Sequence, residues 1–167
     1  MKRSLILIRH AKSSWNNERL DDKDRPLNKR GERDCPHMAK HMAGSEACPD
    51  MIVSSHALRA HTTAKAYAAA FGIADDAIKL DERIYEAPVS RLVEVINDFS
   101  DDHSSVIMFG HNPGFSYLTQ YLTGELIQMP TNGVVKIEMD VDSWKHIGTN
   151  CGSLTYHDFP KQHEALR

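Results

Sequence analysis

Residues 4–16 read SLILIRHAKSSWN, an apolar run that leads directly into charged and polar residues. The run from Ser4 to Ile8 is short and rich in leucine and isoleucine, a pattern typical of a strand buried on both faces of a parallel sheet. Arg9 and His10 then fall at the carboxyl end of this strand, the edge at which open α/β sheets bind their ligands. This stretch therefore predicts the fold class and the place of a site together.

The rest of the chain alternates further apolar runs with helical patterns. Strands are predicted at residues 51–53, 78–80 and 105–109, helices at 28–42, 58–71, 89–99 and 116–122, and a closing pair of strands at 133–139 and 153–159. Strands that alternate with helices in this way are typical of a parallel sheet covered on both faces. We therefore expect a three-layer α/β/α sandwich with a mostly parallel central sheet, formed as one domain over residues 1–167.

The composition is that of an ordinary globular protein, with 41% hydrophobic and 26% charged residues. The formal net charge of -3 argues against a general nucleic-acid binder, because such proteins carry an excess of basic residues. No window is apolar over the length of a membrane span or of a signal-peptide core. We therefore expect a cytoplasmic protein with neither a nucleic-acid nor a membrane partner, and we expect its three cysteines to be reduced thiols.

Two histidines follow two of the predicted strands. His10 comes after the first strand and His111 after the strand at 105–109, and the carboxyl ends of parallel strands lie on one edge of the sheet. Arg9 and Arg59 belong to the same edge, as does a predicted helix N-terminus near Asn112. Guanidinium groups and free backbone N–H groups both match phosphate oxygens, so the expected ligand is a phosphoryl group.

These residue types also indicate a chemistry. A histidine with one nitrogen held by a backbone carbonyl can attack phosphorus with the other nitrogen, and water can later cleave the resulting phosphohistidine. Arginines that neutralise the phosphoryl oxygens make a metal unnecessary. We therefore expect an enzyme that uses neither a metal nor another cofactor.

Residues 9–16, RHAKSSWN, resemble the Arg-His-Gly-Glu-Ser-x-Trp-Asn signature of the histidine phosphatase superfamily, which includes the cofactor-dependent phosphoglycerate mutases. The Arg-His-Ala-Lys form, in place of Arg-His-Gly-Glu, is similar to that of SixA-like phosphohistidine phosphatases. Further stretches resemble the family in the same order along the chain, at residues 24–27, 30–31, 54–64, 80–85 and 110–114. On this resemblance the chain is identified as a member of the superfamily with a phosphoglycerate mutase-like fold.

The resemblance implies roles for the residues of the predicted phosphate site. His10 matches the nucleophile that becomes phosphorylated. The phosphate pocket is implied to consist of Arg9, Arg59 and His111.

Further residues are implied to bind substrate or to move a proton. Ser13 and Asn16 fall where the mutase-like signature makes additional phosphate contacts, and we expect Asn112 to bind substrate as well. Glu82 matches the general acid of the mutases, and Glu86 is a close alternative.

The resemblance leaves the substrate open. Between Arg59 and Glu82 there is no room for the large insertion that caps the site in mutases and sugar-phosphate phosphatases. An open pocket favours a phosphohistidine carried on a protein, and a departing imidazole needs less protonation than an alkoxide because its pKa is near neutrality. The alternatives are a small phosphorylated metabolite, a mutase, and a module that binds phosphate without turnover.

Two further histidines, His37 and His41, are four residues apart in a predicted helix, which places two metal-capable groups on one helical face. The sequence shows no third ligand beside them. We therefore expect both to be exposed to solvent rather than to bind a metal.

Overall fold

The computed structural model describes residues 2–167, and these residues form one six-stranded sheet in the order β3-β2-β4-β1-β5-β6. The strands are β1 (Lys2–Arg9), β2 (Met51–Ser54), β3 (Lys79–Leu80), β4 (Ser105–Gly110), β5 (Val134–Asp140) and β6 (Gly152–Asp158). Strands β1 to β4 are parallel to one another, whereas β5 pairs antiparallel with β1 and β6 pairs antiparallel with β5. The sheet is therefore mostly parallel, as predicted, with an antiparallel pair at one side.

Helices cover both faces of this sheet. They are α1 (Lys29–Ser45), α2 (Leu58–Phe71), α3 (Val89–Asn97) and α4 (Gly114–Thr123). Buried side chains of α1 and α2 belong to one hydrophobic cluster and those of α3 and α4 to another, with the sheet between them. The predicted three-layer α/β/α sandwich is confirmed, and no large insertion separates α2 from β4.

Strand β1 lies in the middle of the sheet and contributes to both cores. Leu5 and Leu7 pack with α3 and α4, and Ile6 and Ile8 pack with α1 and α2, since successive side chains of a strand point to opposite faces. The strand therefore has no polar face, which explains its continuous apolar sequence.

Among residues 2–167, no helix has both the length and the apolar character that crossing a membrane requires.

The first turn of α1 packs tightly against the loop that follows β1. The Asn28 side chain accepts a hydrogen bond from the Gly31 amide at 2.9 Å, which caps the helix. The Asn28 amide in turn donates to the carbonyl oxygen of Lys12 at 2.9 Å. A Cβ atom at Gly31 would lie only 2.2 Å from that same Lys12 oxygen. The helix can approach the loop this closely only because residue 31 has no side chain.

This contact gives a test of the fold with a matched control in the same helix. Gly31→Ala should destabilise the protein by about 1–3 kcal/mol, because the new methyl group meets backbone that cannot move away without breaking the cap. Gly44→Ala should instead stabilise it by about 0.5 kcal/mol through helix propensity, since nothing lies within 4 Å of a Cβ at that position. Urea unfolding of both variants measures the difference, and a Gly31→Ala protein as stable as the wild type would contradict the packing described.

Candidate active site

A pocket of about 700 Å³ opens at the carboxyl ends of β1 and β4. The strands bring His10 and His111 together there because Arg9 of β1 is in register with Gly110 of β4, and the His10 amide donates to the Gly110 carbonyl at 3.0 Å. The two imidazole rings are 5.3 Å apart between centroids. The lining includes many charged and polar residues, among them Arg9, His10, Lys12, Ser13, Asp22, Arg25, Arg59, Glu86, His111 and Asn112.

The His10 ring is held by the backbone in one tautomer. Its Nδ1 lies 2.8 Å from the carbonyl oxygen of Ala11, and a carbonyl can only accept, so Nδ1 carries the hydrogen. The Ala11 amide donates to Oγ1 of buried Thr63 on α2, which holds this peptide in place. Among the described residues, none forms a hydrogen bond with Nε2 of His10. Nε2 of His10 therefore carries a lone pair that no described residue uses.

Burial and nearby cations keep His10 uncharged. Burial is the largest cause that lowers its pKa, and the positive charges of Arg59, Arg9 and Arg25 lower it further. These effects outweigh the hydrogen bond to Ala11, and the pKa falls to about 3. At neutral pH the ring is therefore uncharged, with positive charges around it.

His111 is also buried and neutral. Its Nε2 lies 2.8 Å from Oγ of Ser55, the residue that follows β2. Burial lowers its pKa to about 3, with His10 and Arg59 acting in the same direction and Asp22 against it. The adjacent strands β2, β4 and β1 are thus followed by Ser55, His111 and His10, which lie close together.

The pocket holds buried nitrogen atoms that the protein itself does not satisfy. Within residues 2–167, Nε of Arg9, Nε of Arg59 and Nδ1 of His111 have no hydrogen-bond partner. Unpaired buried polar groups are costly and uncommon in folded proteins. The oxygen atoms of a bound anion are acceptors that suit such a site.

Asp22 is a pocket residue that sequence reasoning missed. Its carboxylate accepts from Nη2 of Arg59 at 2.9 Å, from Nε of Arg25 at 3.0 Å and from the hydroxyl of Tyr85. Burial alone would raise its pKa, but the hydrogen bonds from Tyr85, Arg59 and Arg25 together hold the pKa well below its usual range. Asp22 is therefore ionised at neutral pH and cannot donate a proton. No signal in the sequence separates it from Asp24 in the same polar loop.

Arg25 is a second residue that the predicted site did not include, although it lies within the stretch 24–27 that resembles the family. Its Nη1 donates to Oγ of Ser13 at 2.8 Å, and its guanidinium lies 3.5 Å from the ring centroid of Trp15. Ser13 thus lines the pocket as predicted, with its hydroxyl bound to an arginine. The Trp15 side chain is 70% exposed and forms part of the pocket wall.

The two candidate acids differ in position. Glu82 is exposed at the start of a short 3-10 turn and does not line the pocket, whereas Glu86 does. Between them, Ile84 is buried in the core and the Tyr85 hydroxyl donates to Asp22. The chain therefore reaches the pocket only after Glu82. Glu86 adopts a φ of 51°, in the left-handed region. Of the two glutamates, Glu86 and not Glu82 lines the pocket that contains the two histidines.

The two predicted asparagines also differ. Asn16 is exposed and lies outside the pocket lining. Asn112 lines the pocket, but its amide nitrogen donates to the Met129 carbonyl at 3.0 Å and its oxygen accepts from Ser116 at 3.1 Å. Its side chain therefore ties the start of α4 to the segment before β5.

Much of the chain matches a known protein family. Residues 5–92 match the model of the histidine phosphatase superfamily (branch 1), a stretch that includes His10 and Arg59 and ends before His111. An uncharacterized chloroplastic protein of Arabidopsis thaliana is 31% identical over 153 residues, which are 87% of this chain and 70% of that protein.

Solved structures show the same fold over nearly the whole chain. The structure of "the putative phosphohistidine phosphatase SixA" from Agrobacterium tumefaciens has a TM-score of 0.80 at 26% identity, covering 95% of this chain and 98% of its own. The protein histidine phosphatase SixA complexed with tungstate has a TM-score of 0.81 at 18% identity, with the same coverage. With the family model matching more than half of its length, this chain belongs to the histidine phosphatase superfamily (branch 1) and is similar to its SixA-type members.

Proposed function

We propose that residues 1–167 form one histidine phosphatase domain that hydrolyses protein-borne phosphohistidine through a phosphorylated His10. The observation that carries this proposal is the hydrogen bond from Nδ1 of His10 to the Ala11 carbonyl. It leaves the Nε2 lone pair free in a pocket lined by three arginines, which is the arrangement that attack on a phosphoryl group needs.

In the first step, Nε2 of His10 attacks phosphorus while the bond to the leaving group breaks on the opposite side. The His10 ring becomes positively charged, and the Ala11 carbonyl stabilises that charge through Nδ1–H. Arg9, Arg25 and Arg59 neutralise the phosphoryl oxygens, with His111 beside them. The pair of electrons of the broken P–N bond stays on the leaving imidazole, whose nitrogen takes up a proton from solvent water.

In the second step, water attacks the phosphorus of phosphorylated His10 from the side that the leaving group vacated. The bond between phosphorus and Nε2 breaks, the water gives up a proton, and inorganic phosphate leaves. His10 returns to its neutral form with the hydrogen still on Nδ1. Low pKa values at His10 and His111 favour this return, because neither ring retains the proton at neutral pH.

The charges around the pocket support phosphohistidine as the substrate class. Asp22 is ionised and cannot protonate a leaving group, and the remaining carboxyl in the lining is Glu86 on the exposed rim. An imidazole leaving group needs little help from an acid, unlike the alkoxide of a sugar phosphate. A small phosphomonoester is the second candidate, and the position of Glu86 in the lining is what favours it.

Loss of the nucleophile gives the first test. His10→Ala should lower turnover of a phosphohistidine peptide by on the order of 10³-fold or more, because no other group in the pocket takes over the attack. His146→Ala, which changes an exposed histidine remote from the lining, is the control and should behave as the wild type. Phosphate release without added metal is the measurement, and activity that survives His10→Ala would refute the mechanism. Tight phosphate binding by the wild type without turnover would instead indicate a binding module.

The protonation state of His10 gives a second test. With its pKa at about 3, His10 should remain neutral, with the hydrogen on Nδ1, throughout the range from pH 7 to pH 5. An unperturbed imidazole would become protonated over that range, since its pKa is about 6.5. Ring nitrogen chemical shifts from NMR measure this directly. A titration of His10 near pH 6.5 would contradict the electrostatic description of the site.

Exchanging the two glutamates for glutamine tests the general acid. Glu86→Gln should lower turnover of an alkyl phosphate such as a phosphoserine peptide by about 10²-fold, and should leave phosphohistidine turnover near the wild-type rate. Glu82→Gln is the matched variant and should change neither. A loss of phosphoserine turnover that is confined to Glu82→Gln would support Glu82, the acid that the resemblance implies. Unchanged turnover in both variants would rule out both glutamates as the general acid.

A further inference from the structure

Three histidines and a buried aspartate meet where the segment after β6 packs against α1. We refer to His37, His41, Asp158 and His163 as the His–Asp cluster. Nε2 of His163 lies 2.7 Å from Oδ2 of Asp158, and Nε2 of His41 lies 3.9 Å from the same oxygen. Nε2 of His37 lies 3.2 Å from Nδ1 of His163. The third group that the sequence did not show beside His37 and His41 therefore comes from residues more than 100 positions away.

The cluster has the ligand types and spacing of a transition-metal site. Potential ligand atoms of His41, Asp158 and His163 all lie within 4.8 Å of one another. A tetrahedral Zn²⁺ ion with nitrogen and oxygen ligands needs separations of about 3.4 Å between ligand atoms. Small rotations of His41 and His163 would reach that value from the observed 3.9 and 2.7 Å.

The surroundings of the cluster already orient two of these groups. Asp158 is 5% exposed, and its carboxylate accepts from the Tyr156 hydroxyl and from the Phe159 amide, each at 2.9 Å. When Nε2 of His163 binds a metal, the ring hydrogen moves to Nδ1, which can then donate to Nε2 of His37. Such outer hydrogen bonds hold metal-binding histidines in the required tautomer. His41 is about half exposed, so an ion can enter from solvent.

We propose that the His–Asp cluster binds one divalent transition-metal ion of the Zn²⁺ class. Its ligands are Nε2 of His41, a carboxylate oxygen of Asp158, Nε2 of His163 and a water molecule, with His37 supporting His163. The ion links α1, the end of β6 and the segment that follows.

This site is separate from the candidate active site. No residue of the His–Asp cluster lines the active-site pocket. Asp158 of β6 is in register with Val134 of β5, which pairs with Ile8 of β1. Two strand spacings of about 4.8 Å each therefore separate Asp158 from β1, the strand that His10 follows. The bound ion therefore stabilises the fold and takes no part in phosphoryl transfer.

Titration of the tag-free protein with ZnCl₂ tests this proposal. Isothermal titration calorimetry and native mass spectrometry should both give one ion per chain. Zinc at 100 times its dissociation constant should raise the melting temperature by about 5–10 °C. His41→Ala should weaken binding at least about tenfold without unfolding the protein, because this side chain is half exposed. His163→Gln should abolish binding.

Two control proteins identify the site. His146→Ala removes an exposed histidine elsewhere and should bind zinc as the wild type does. His10→Ala should also bind one ion, and loss of binding in that variant would place the ion in the phosphate pocket and overturn the proposal. Absence of a bound ion at equimolar zinc, or binding unchanged in both His41→Ala and His163→Gln, would overturn it as well.

Discussion

The parallel pairing of β1 with β4 is the constraint on which the site depends. It places Arg9 in register with Gly110, and the His10 amide bonds to the Gly110 carbonyl, so the residue after each strand enters the same pocket. Gly110 itself has no room for a side chain, because a Cβ atom would lie 2.5 Å from Phe115 and 2.9 Å from Ile84. Two imidazoles can thus stand side by side with both strands still paired beneath them.

The neutral ring of His10 is surrounded by the positive charges of three arginines. Burial removes the proton from His10, and the arginines beside it add to that effect. The backbone decides which nitrogen carries the hydrogen, since Nδ1 is bonded to the Ala11 carbonyl, which can only accept. Thr63 and Asn28 then hold the loop on either side of this carbonyl through the Ala11 amide and the Lys12 oxygen. The backbone thus selects the tautomer of His10, and burial keeps the ring neutral.

Much of this could be predicted from the sequence, because buried strands and glycine-terminated helices leave local patterns. Helix α2 has the predicted bounds, and Gly72 ends it with a φ of 75°. Contacts made by loops could not be predicted, because they depend on where distant elements pack. Asp22 is held in the pocket by hydrogen bonds from Arg59, Arg25 and Tyr85. Glu86 lines the pocket and Glu82 does not, with buried Ile84 between them in the chain. For the same reason, the contact between His163 and His37 could not be predicted, because the two residues are 126 positions apart in the chain.

The position of Asp22 also bears on product inhibition. A phosphatase that surrounded its product with unopposed arginines would bind inorganic phosphate tightly and would be slowed by it. Here the Asp22 carboxylate already occupies part of the hydrogen-bonding capacity of Arg59 and Arg25. In the proposed mechanism, this fixed negative charge repels the phosphate product beside the arginines. The carboxylate then lowers the affinity for the product and limits inhibition by it.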